Sequence, residues 1–157
     1  MPFDSQLQRR ILGRFATGVT VVTTGKPGSY SAMTANAVAS LSLDPPLLLV
    51  AVDKKAHMHG ELQNHRYFAA NVLTETQEAL SRRFAMKGAK EFADLALKIA
   101  ETGAPIFADA LAFLDCKVVD ILPGGDHDIF IGEIVAGDAK DGKPLLYYCG
   151  KYARLPD

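Results

Sequence analysis

Two basic side chains four residues apart, Arg83 and Lys87, suggest phosphate binding in this sequence. On a helix their charged heads would converge on one face and clamp a terminal phosphate, with the arginine bonding in bidentate fashion. Arg82, four residues after Glu78, has instead the spacing of an ordinary surface ion pair. Solvation of Arg83 is the competing interpretation, and the residue types alone do not decide between the two.

A histidine follows a tight turn late in the chain. The segment Pro123-Gly124-Gly125-Asp126 delivers His127 to the start of a strand, where an imidazole can face a cleft. Imidazole hydrogen-bonds amides and phosphates near neutral pH, so we predict a catalytic role for His127. A structural histidine is the alternative.

Three tyrosines near the C-terminus, Tyr147, Tyr148 and Tyr152, offer flat amphipathic surface in a chain without tryptophan. Gly150 leaves room for a ligand to approach the backbone closely. Strand alternation places Tyr147 and Tyr148 on opposite faces, so at most one of that pair lines a single pocket. Core packing or a dimer contact is the other role open to these residues.

The segment 31–46, SAMTANAVASLSLDPP, is rich in small and hydroxyl side chains and alternates like a strand. Such side chains let a flat or phosphorylated ligand lie close to the backbone, and we interpret this strand as one wall of a flavin site. On this interpretation, Ala35→Leu would block the ligand and leave the fold intact.

Histidines are also clustered at 57, 59 and 65, a pattern that raises the question of a metal site. Neither a carboxylate-rich neighbourhood nor a further Cys/His pair completes a set of three or four ligands. We therefore predict no metal site, and interpret His57 and His59 as polar residues at the start of a helix, where free backbone N–H groups can accommodate an anion.

Hydrophobic periodicity predicts a mainly β chain with a few short helices. An amphipathic helix opens the chain before Gly18, and two more are expected at 56–65 and 76–86. Strand-like runs occupy 19–24, 31–46, 47–52, 68–73, 111–122, 129–135 and 145–149, and the unbroken apolar run 47–52 is typical of a strand buried on both faces. Because strands and helices do not alternate regularly, we expect an antiparallel Greek-key barrel with peripheral helices.

Composition limits the class of protein further. A chain of 157 residues has the size of one domain, 1–157, and its formal charge of -1 argues against nucleic-acid binding. No apolar run approaches the roughly 20 residues that span a bilayer, so no membrane association is expected. Cys116 and Cys149 lie in apolar, strand-like runs and indicate a reducing, cytoplasmic location.

Taken in order along nearly the whole chain, these features resemble the flavin reductase family, the short NAD(P)H-dependent reductases that supply reduced flavin to two-component monooxygenases. The resemblance rests on Phe15 to Val19 (FATGV), Thr34 to Pro46 (TANAVASLSLDPP), Phe68 to Leu73 (FAANVL), Ser81 to Ala85 (SRRFA), Ala110 to Ala112 (ALA), Gly125 to His127 (GDH) with Ile129 to Gly132 (IFIG), and Leu145 to Tyr152 (LLYYCGKY).

The resemblance implies an FMN-binding split β-barrel, a homodimer, and FMN or FAD as the flavin with NADH or NADPH as the donor. The implied flavin contacts are Ala32, Met33, Thr34, Ala35, Asn36, Ala37, Ser40, Val52, Asp53, Ala56, His57 and Met58, with Arg83 and Phe84 towards the phosphate. The implied nicotinamide contacts are His127 and the segment from Tyr147 to Gly150.

Relatives often carry hydroxyl residues where this chain has Ala56 and Met58, and those hydroxyls can bond the flavin phosphate. Here the helix-start N–H groups, His57, or Arg83 with Lys87 are expected to replace them. Two alternatives remain. One is a flavin-storing or flavin-sensing protein of the same barrel class, which would not require a turn such as the one ending in His127. The other is an oxidase of the pyridoxamine phosphate type. The basic residues that such an oxidase needs for a substrate phosphate are not evident in this sequence.

Overall fold

A computed structural model describes residues 2–157. Over these residues the chain forms three helices and twelve strands, which confirms the expected mainly β fold. The helices are α1 (Ser5–Leu12), α2 (His57–His65) and α3 (Glu78–Ala85). The strands are β1 (Thr17–Gly18), β2 (Thr20–Lys26), β3 (Ser29–Ala35), β4 (Val38–Leu43), β5 (Pro46–Asp53), β6 (Tyr67–Val72), β7 (Leu97–Lys98), β8 (Ile106–Phe107), β9 (Ala112–Gly124), β10 (His127–Ala139), β11 (Leu145–Tyr148) and β12 (Lys151–Arg154).

Seven strands form one antiparallel sheet in the order β3-β2-β6-β9-β10-β5-β4. Its two edge strands, β3 and β4, are consecutive in the chain and are joined only by Asn36 and Ala37. The sheet must therefore curve until its edges meet at this link, where the Ala51 amide donates to the Ala37 carbonyl at 3.0 Å. β1, β11 and β12 form a smaller sheet, and β7 pairs with β8.

The prediction of one strand over 31–46 is wrong, because the chain leaves the sheet at Asn36 and Ala37 and returns on its opposite edge. The opening helix also ends earlier than expected, at Leu12, since Thr17 and Gly18 pair with β11. β12 was not predicted.

Two large apolar cores lie on opposite faces of the curved sheet, and a third, smaller cluster contains Ala69, Ala104 and Ile106. The inner core draws on six of its strands and on α2, which inserts Met58 and Leu62. The outer core lies beneath α3 and is centred on Phe84 and Phe107, whose rings stack with centroids 5.6 Å apart. Each layer buries several large side chains, and this burial holds the sheet and the two helices together.

The structure of β5 corrects the expectation that the strand over 47–52 is buried on both faces. Leu48, Val50 and Val52 are buried in the inner core, whereas the alternate residues of the strand remain partly exposed on the outer face. Burial on both faces is therefore not achieved among the described residues of one chain.

The two cysteines differ in environment. Cys116 is buried in β9, and burial raises the pKa of its thiol to about 12. Cys149 is exposed in the turn after β11 with a φ of 51°, so the expectation of a strand position was wrong for it. Among residues 2–157, no helix is both long enough and apolar enough to cross a membrane.

Candidate functional site

The open edge of β3 is the central feature of the candidate site. β3 pairs on one side only, with β2, so backbone N–H and C=O groups along its other edge are free to meet a ligand. Ala32 packs into the outer core with Phe84, and Ala35 packs into the inner core. Other parts of the protein cover both faces of β3. The predicted wall of the ligand site is therefore the open edge of this strand and not one of its faces.

Side-chain contacts fix β3 between the two helices. Thr34 Oγ1 donates to the Ser81 carbonyl of α3 at 2.6 Å, while Met33 packs against the inner core that contains Met58 of α2. The hydroxyl of Thr34 is thus used within the protein. A ligand at the edge of β3 would lie between α2 and α3.

The N-terminus of α2 carries backbone donors without a side-chain cap. Its N-cap residue is Ala56, which cannot accept a hydrogen bond through its side chain, so the first N–H groups, those of His57 and Met58, stay available. The Val52 and Met58 side chains are buried. These two predicted cofactor residues can therefore offer a ligand only their backbone groups.

His127 lies beside this helix start. It begins β10 opposite Asp53 of β5, and the Lys54 amide donates to the Asp126 carbonyl at 3.0 Å. Nδ1 of His127 lies 2.7 Å from Asp126 Oδ1, and this hydrogen bond lowers the pKa of the Asp126 carboxyl. Since the carboxylate accepts a hydrogen bond from Nδ1–H, Nε2 of this 39% exposed side chain is left to meet a ligand.

Sequence reasoning missed a histidine–carboxylate pair that fastens α2 to β10. His59 Nε2 lies 2.6 Å from Asp128 Oδ2, and the two side chains are only 12% and 17% exposed. The His59 ring also packs edge-on against Phe130, with centroids 5.3 Å apart. No sequence spacing could have signalled this pair, because its members are 69 residues apart.

The predicted helical pair of Arg83 and Lys87 does not form. α3 ends at Ala85 and Met86 is extended, so Lys87 lies beyond the helix. The Arg83 guanidinium makes a bidentate bridge to Asp94, at 2.8 and 2.9 Å, which raises its own pKa and lowers that of Asp94. Phe84, expected near a phosphate, is buried in the outer core.

Lys90 was also missed, and it lies in a groove of about 370 Å³ beside α3. This groove is lined by Arg83, Met86, Lys87, Ala89, Lys90, Glu91, Ala93 and Asp94. The Lys90 ammonium is buried and has no hydrogen-bond partner among residues 2–157. Lys90 has no regular spacing from Arg83, so the sequence gives no sign that the two residues line the same groove.

A second groove, of about 660 Å³, contains the predicted residues Tyr147, Gly150 and Tyr152. The two tyrosine rings meet edge to face at 5.3 Å, and the Tyr152 hydroxyl lies 2.7 Å from Ser81 Oγ. Arg82 stacks over the Tyr152 ring at 4.8 Å in addition to its predicted bridge to Glu78. This groove therefore combines an aromatic surface with a cation.

The remaining predicted residues, Asn36, Ala37 and Ser40, are exposed at or just after the link between β3 and β4. Within 2–157 no group of three or more His, Cys, Asp and Glu side chains is arranged to hold a metal ion. His57 and His65 both approach Glu61, at 3.1 Å.

This set of groups fits a flavin nucleotide. The pyrimidine edge of a flavin carries both donors and acceptors, which the open edge of a strand can match. The free N–H groups at the start of α2 and the cations that line the groove beside α3 suit an anionic phosphate.

Comparison with known proteins agrees with this fit. Residues 12–156 match the family described as flavin reductase like domain. The reductase component of 4-nitrophenol 4-monooxygenase/4-nitrocatechol 2-monooxygenase from Rhodococcus opacus is 42% identical over 154 residues, covering 98% of this chain and 83% of the relative. An NADH-dependent FAD reductase from Streptomyces globisporus is 41% identical over 166 residues, with coverage of 99% and 89%.

Solved structures agree in fold. Flavin reductase PheA2 in its native state superposes with a TM-score of 0.92 at 41% identity, covering 99% of this chain and 100% of that one. The Streptomyces globisporus NADH:FAD oxidoreductase SgcE6 in complex with NAD and FAD fragments gives 0.91 at 38% identity, with coverage of 99% and 97%. The chain belongs to the flavin reductase family.

Proposed function

We propose that this chain is an NADH:flavin oxidoreductase that reduces FMN or FAD and supplies the reduced flavin to a partner monooxygenase. The open edge of β3, set between the uncapped start of α2 and the cationic groove beside α3, carries the proposal. Relatives over nearly the whole chain are named as NADH-dependent flavin reductases and as reductase components of monooxygenases, which supports it.

The mechanism needs little acid–base chemistry from the protein. A bound flavin would supply a ring that accepts a hydride, and the residues of this chain would hold the flavin and the nicotinamide in place. The edge of β3 and the link at Asn36 and Ala37 would hold the ring, and the N–H groups at the start of α2 would stabilise negative charge. His127 Nε2 would orient the nicotinamide, with its ring held by Asp126 through Nδ1.

A homodimer is part of the proposal. Leu47, Leu49 and Ala51 of β5 lie beside Ile129 and Ile131 of β10 on the outer face of the sheet, and all five are partly exposed apolar residues. His127 precedes them on the same face by strand alternation. Covering this face with a second copy would bury it and enclose His127, and light scattering after size-exclusion chromatography tests the expected mass of two chains.

An anaerobic titration tests the activity. Purified protein mixed with FMN or FAD and then with NADH or NADPH is expected to lose the visible absorbance of oxidised flavin, faster with NADH. Flavin binding without any loss of absorbance would overturn the proposal in favour of a storage or sensing protein. A matched run without protein gives the background rate.

A further inference from the structure

We infer that His59 and Asp128 form a positioning pair, which sets the start of α2 against His127 for hydride transfer. This role rests on the proposed function, because the pair acts through the groups assigned there to the flavin and to the nicotinamide. Loss of the pair is expected to slow flavin reduction more than it weakens the binding of either ligand.

The two members of the pair lie next to the two groups that they would position. His59 is in the first turn of α2, directly after the free N–H groups of His57 and Met58. Asp128 directly follows His127 at the start of β10. One hydrogen bond of 2.6 Å therefore joins the proposed flavin side of the site to the proposed nicotinamide side.

The surroundings of the pair make this connection rigid. The two side chains are only 12% and 17% exposed, so water competes weakly for the hydrogen bond. The His59 ring also packs edge-on against Phe130, with ring centroids 5.3 Å apart. A short, shielded bond from an imidazole N–H to a carboxylate is among the stronger hydrogen bonds, and here it fixes the orientation of both side chains.

The start of α2 has few other polar contacts to hold it in place. Among residues 2–157, the pair is the only side-chain hydrogen bond between α2 and β10. In the turn before α2, the Lys54 amide donates to the Asp126 carbonyl and the Ala56 amide to the Asp53 carbonyl, each at 3.0 Å. These bonds fix the turn, but Ala56 adds no side-chain cap to the helix. The direction of α2 thus depends on the pair and on the apolar side chains that α2 buries in the inner core.

Hydride transfer is sensitive to small displacements of the groups that hold the two rings. The reacting atoms must approach to about 3–3.5 Å, and a misplacement of about 1 Å costs on the order of a hundredfold in rate. Affinity is less sensitive, because it sums contacts along the whole length of a nucleotide. A loosened start of α2 would therefore lower the rate of hydride transfer more than the affinity for either ligand.

Three variants at one position test this role. Asp128→Ala removes the acceptor of the hydrogen bond. Asp128→Asn is the conservative variant, since its amide oxygen can still accept the bond from His59 Nε2. Asp128→Ser breaks the bond by shortening the side chain but keeps a polar group, so it serves in place of Asp128→Ala if that variant does not fold.

Asp115→Ala is the matched control for a general loss of stability. Asp115 is a buried carboxylate of β9 that accepts from the amides of Glu101 and Thr102, at 2.8 and 2.9 Å. It lies opposite Ala136, near the other end of β10 from His127. Its loss should destabilise the fold without moving the start of α2.

The first measurement needs no ligand. Amides in the first turns of a helix exchange by local opening, so their exchange with deuterium reports on how firmly the helix start is held. In the ligand-free protein, mass spectrometry should show exchange at residues 59–62 at least about tenfold faster in Asp128→Ala than in the unchanged protein. Exchange of the same residues should be unchanged in Asp115→Ala and close to normal in Asp128→Asn.

The second measurement separates rate from affinity. In anaerobic stopped-flow experiments at saturating flavin and NADH, the limiting rate of flavin reduction should fall about ten- to a hundredfold in Asp128→Ala. The dissociation constant of the flavin, from its fluorescence, and the Michaelis constant for NADH should each change by less than about threefold. Asp128→Asn should recover most of the rate.

Unchanged exchange at residues 59–62 in Asp128→Ala would overturn the inference, as would an unchanged limiting rate. An equal fall in rate in Asp115→Ala would also overturn it, because the effect would then come from lost stability alone. Failure of the proposed function gives a different result. The unchanged protein would then itself leave the flavin oxidised, and the positioning role would fall with the activity.

Discussion

The hydrogen bond between His59 and Asp128 should contribute measurably to the stability of the fold, and the perturbation is Asp128→Ala. The side chains are 12% and 17% exposed with 2.6 Å between Nε2 and Oδ2. A hydrogen bond to a charged group contributes about 1.5–3 kcal/mol, and its loss here would leave the His59 N–H buried without its acceptor. We expect the free energy of unfolding to fall by roughly 2–3 kcal/mol.

The assay is a double-mutant cycle with His59→Ala, Asp128→Ala and the double variant, followed by urea unfolding. For a chain of this length, 2–3 kcal/mol corresponds to a fall of roughly 4–12 °C in the unfolding temperature. His59→Ala should cost slightly more than Asp128→Ala, because it also removes the edge-on contact with Phe130 at 5.3 Å. The coupling energy of the cycle should be at least about 1.5 kcal/mol.

His57→Ala is the control, since His57 lies on the same helix two residues earlier but is 80% exposed. Its approach to Glu61 at 3.1 Å is a surface contact and should contribute less than about 0.5 kcal/mol. A coupling energy below about 0.5 kcal/mol would refute the reasoning. So would a loss from Asp128→Ala no larger than that from His57→Ala.

Three further predictions concern the core, the thiols and the candidate catalytic histidine. Gly132→Ala would bring a methyl group within 2.7 Å of the Phe68 ring and 2.8 Å of Cys116 Cβ. This crowding should lower the free energy of unfolding, measured in urea, by about 1–3 kcal/mol. An unchanged midpoint of urea unfolding would contradict this packing. At pH 8 iodoacetamide should add one group per folded chain, at the exposed thiol of Cys149. Buried Cys116 should not react, because its thiol pKa is raised to about 12 and the thiol therefore stays neutral. Two additions detected by mass spectrometry before unfolding would be inconsistent with that burial. His127→Ala should raise the Michaelis constant for NADH well before it alters flavin affinity, and equal damage to both would reject its assigned role.

Ala35 shows where sequence reasoning about the site reached its limit. The small residues of 31–46 indicated that a ligand needs access to the backbone, and β3 does offer an open edge. Ala35 itself is buried in the inner core, so Ala35→Leu would overfill that core and would not leave the fold intact as expected. Ala37 is exposed at the link, and Ala37→Leu adds bulk beside the edge without that cost.

The sequence by itself determined the mainly β class and most strand positions, because alternation and turn residues are local signals. Its ordered motifs also identified the family, as the match over residues 12–156 confirms. The assigned site roles and the cytoplasmic location stay predictions.

Only the tertiary structure decided which candidate side chains are free to act. It directs Phe84 and Met58 into the cores and pairs Arg83 with Asp94. It also buries the Lys90 charge without a partner among residues 2–157. Burial and charge pairing depend on contacts between residues distant in the chain, such as His59 and Asp128, and no local pattern of residue types records those contacts.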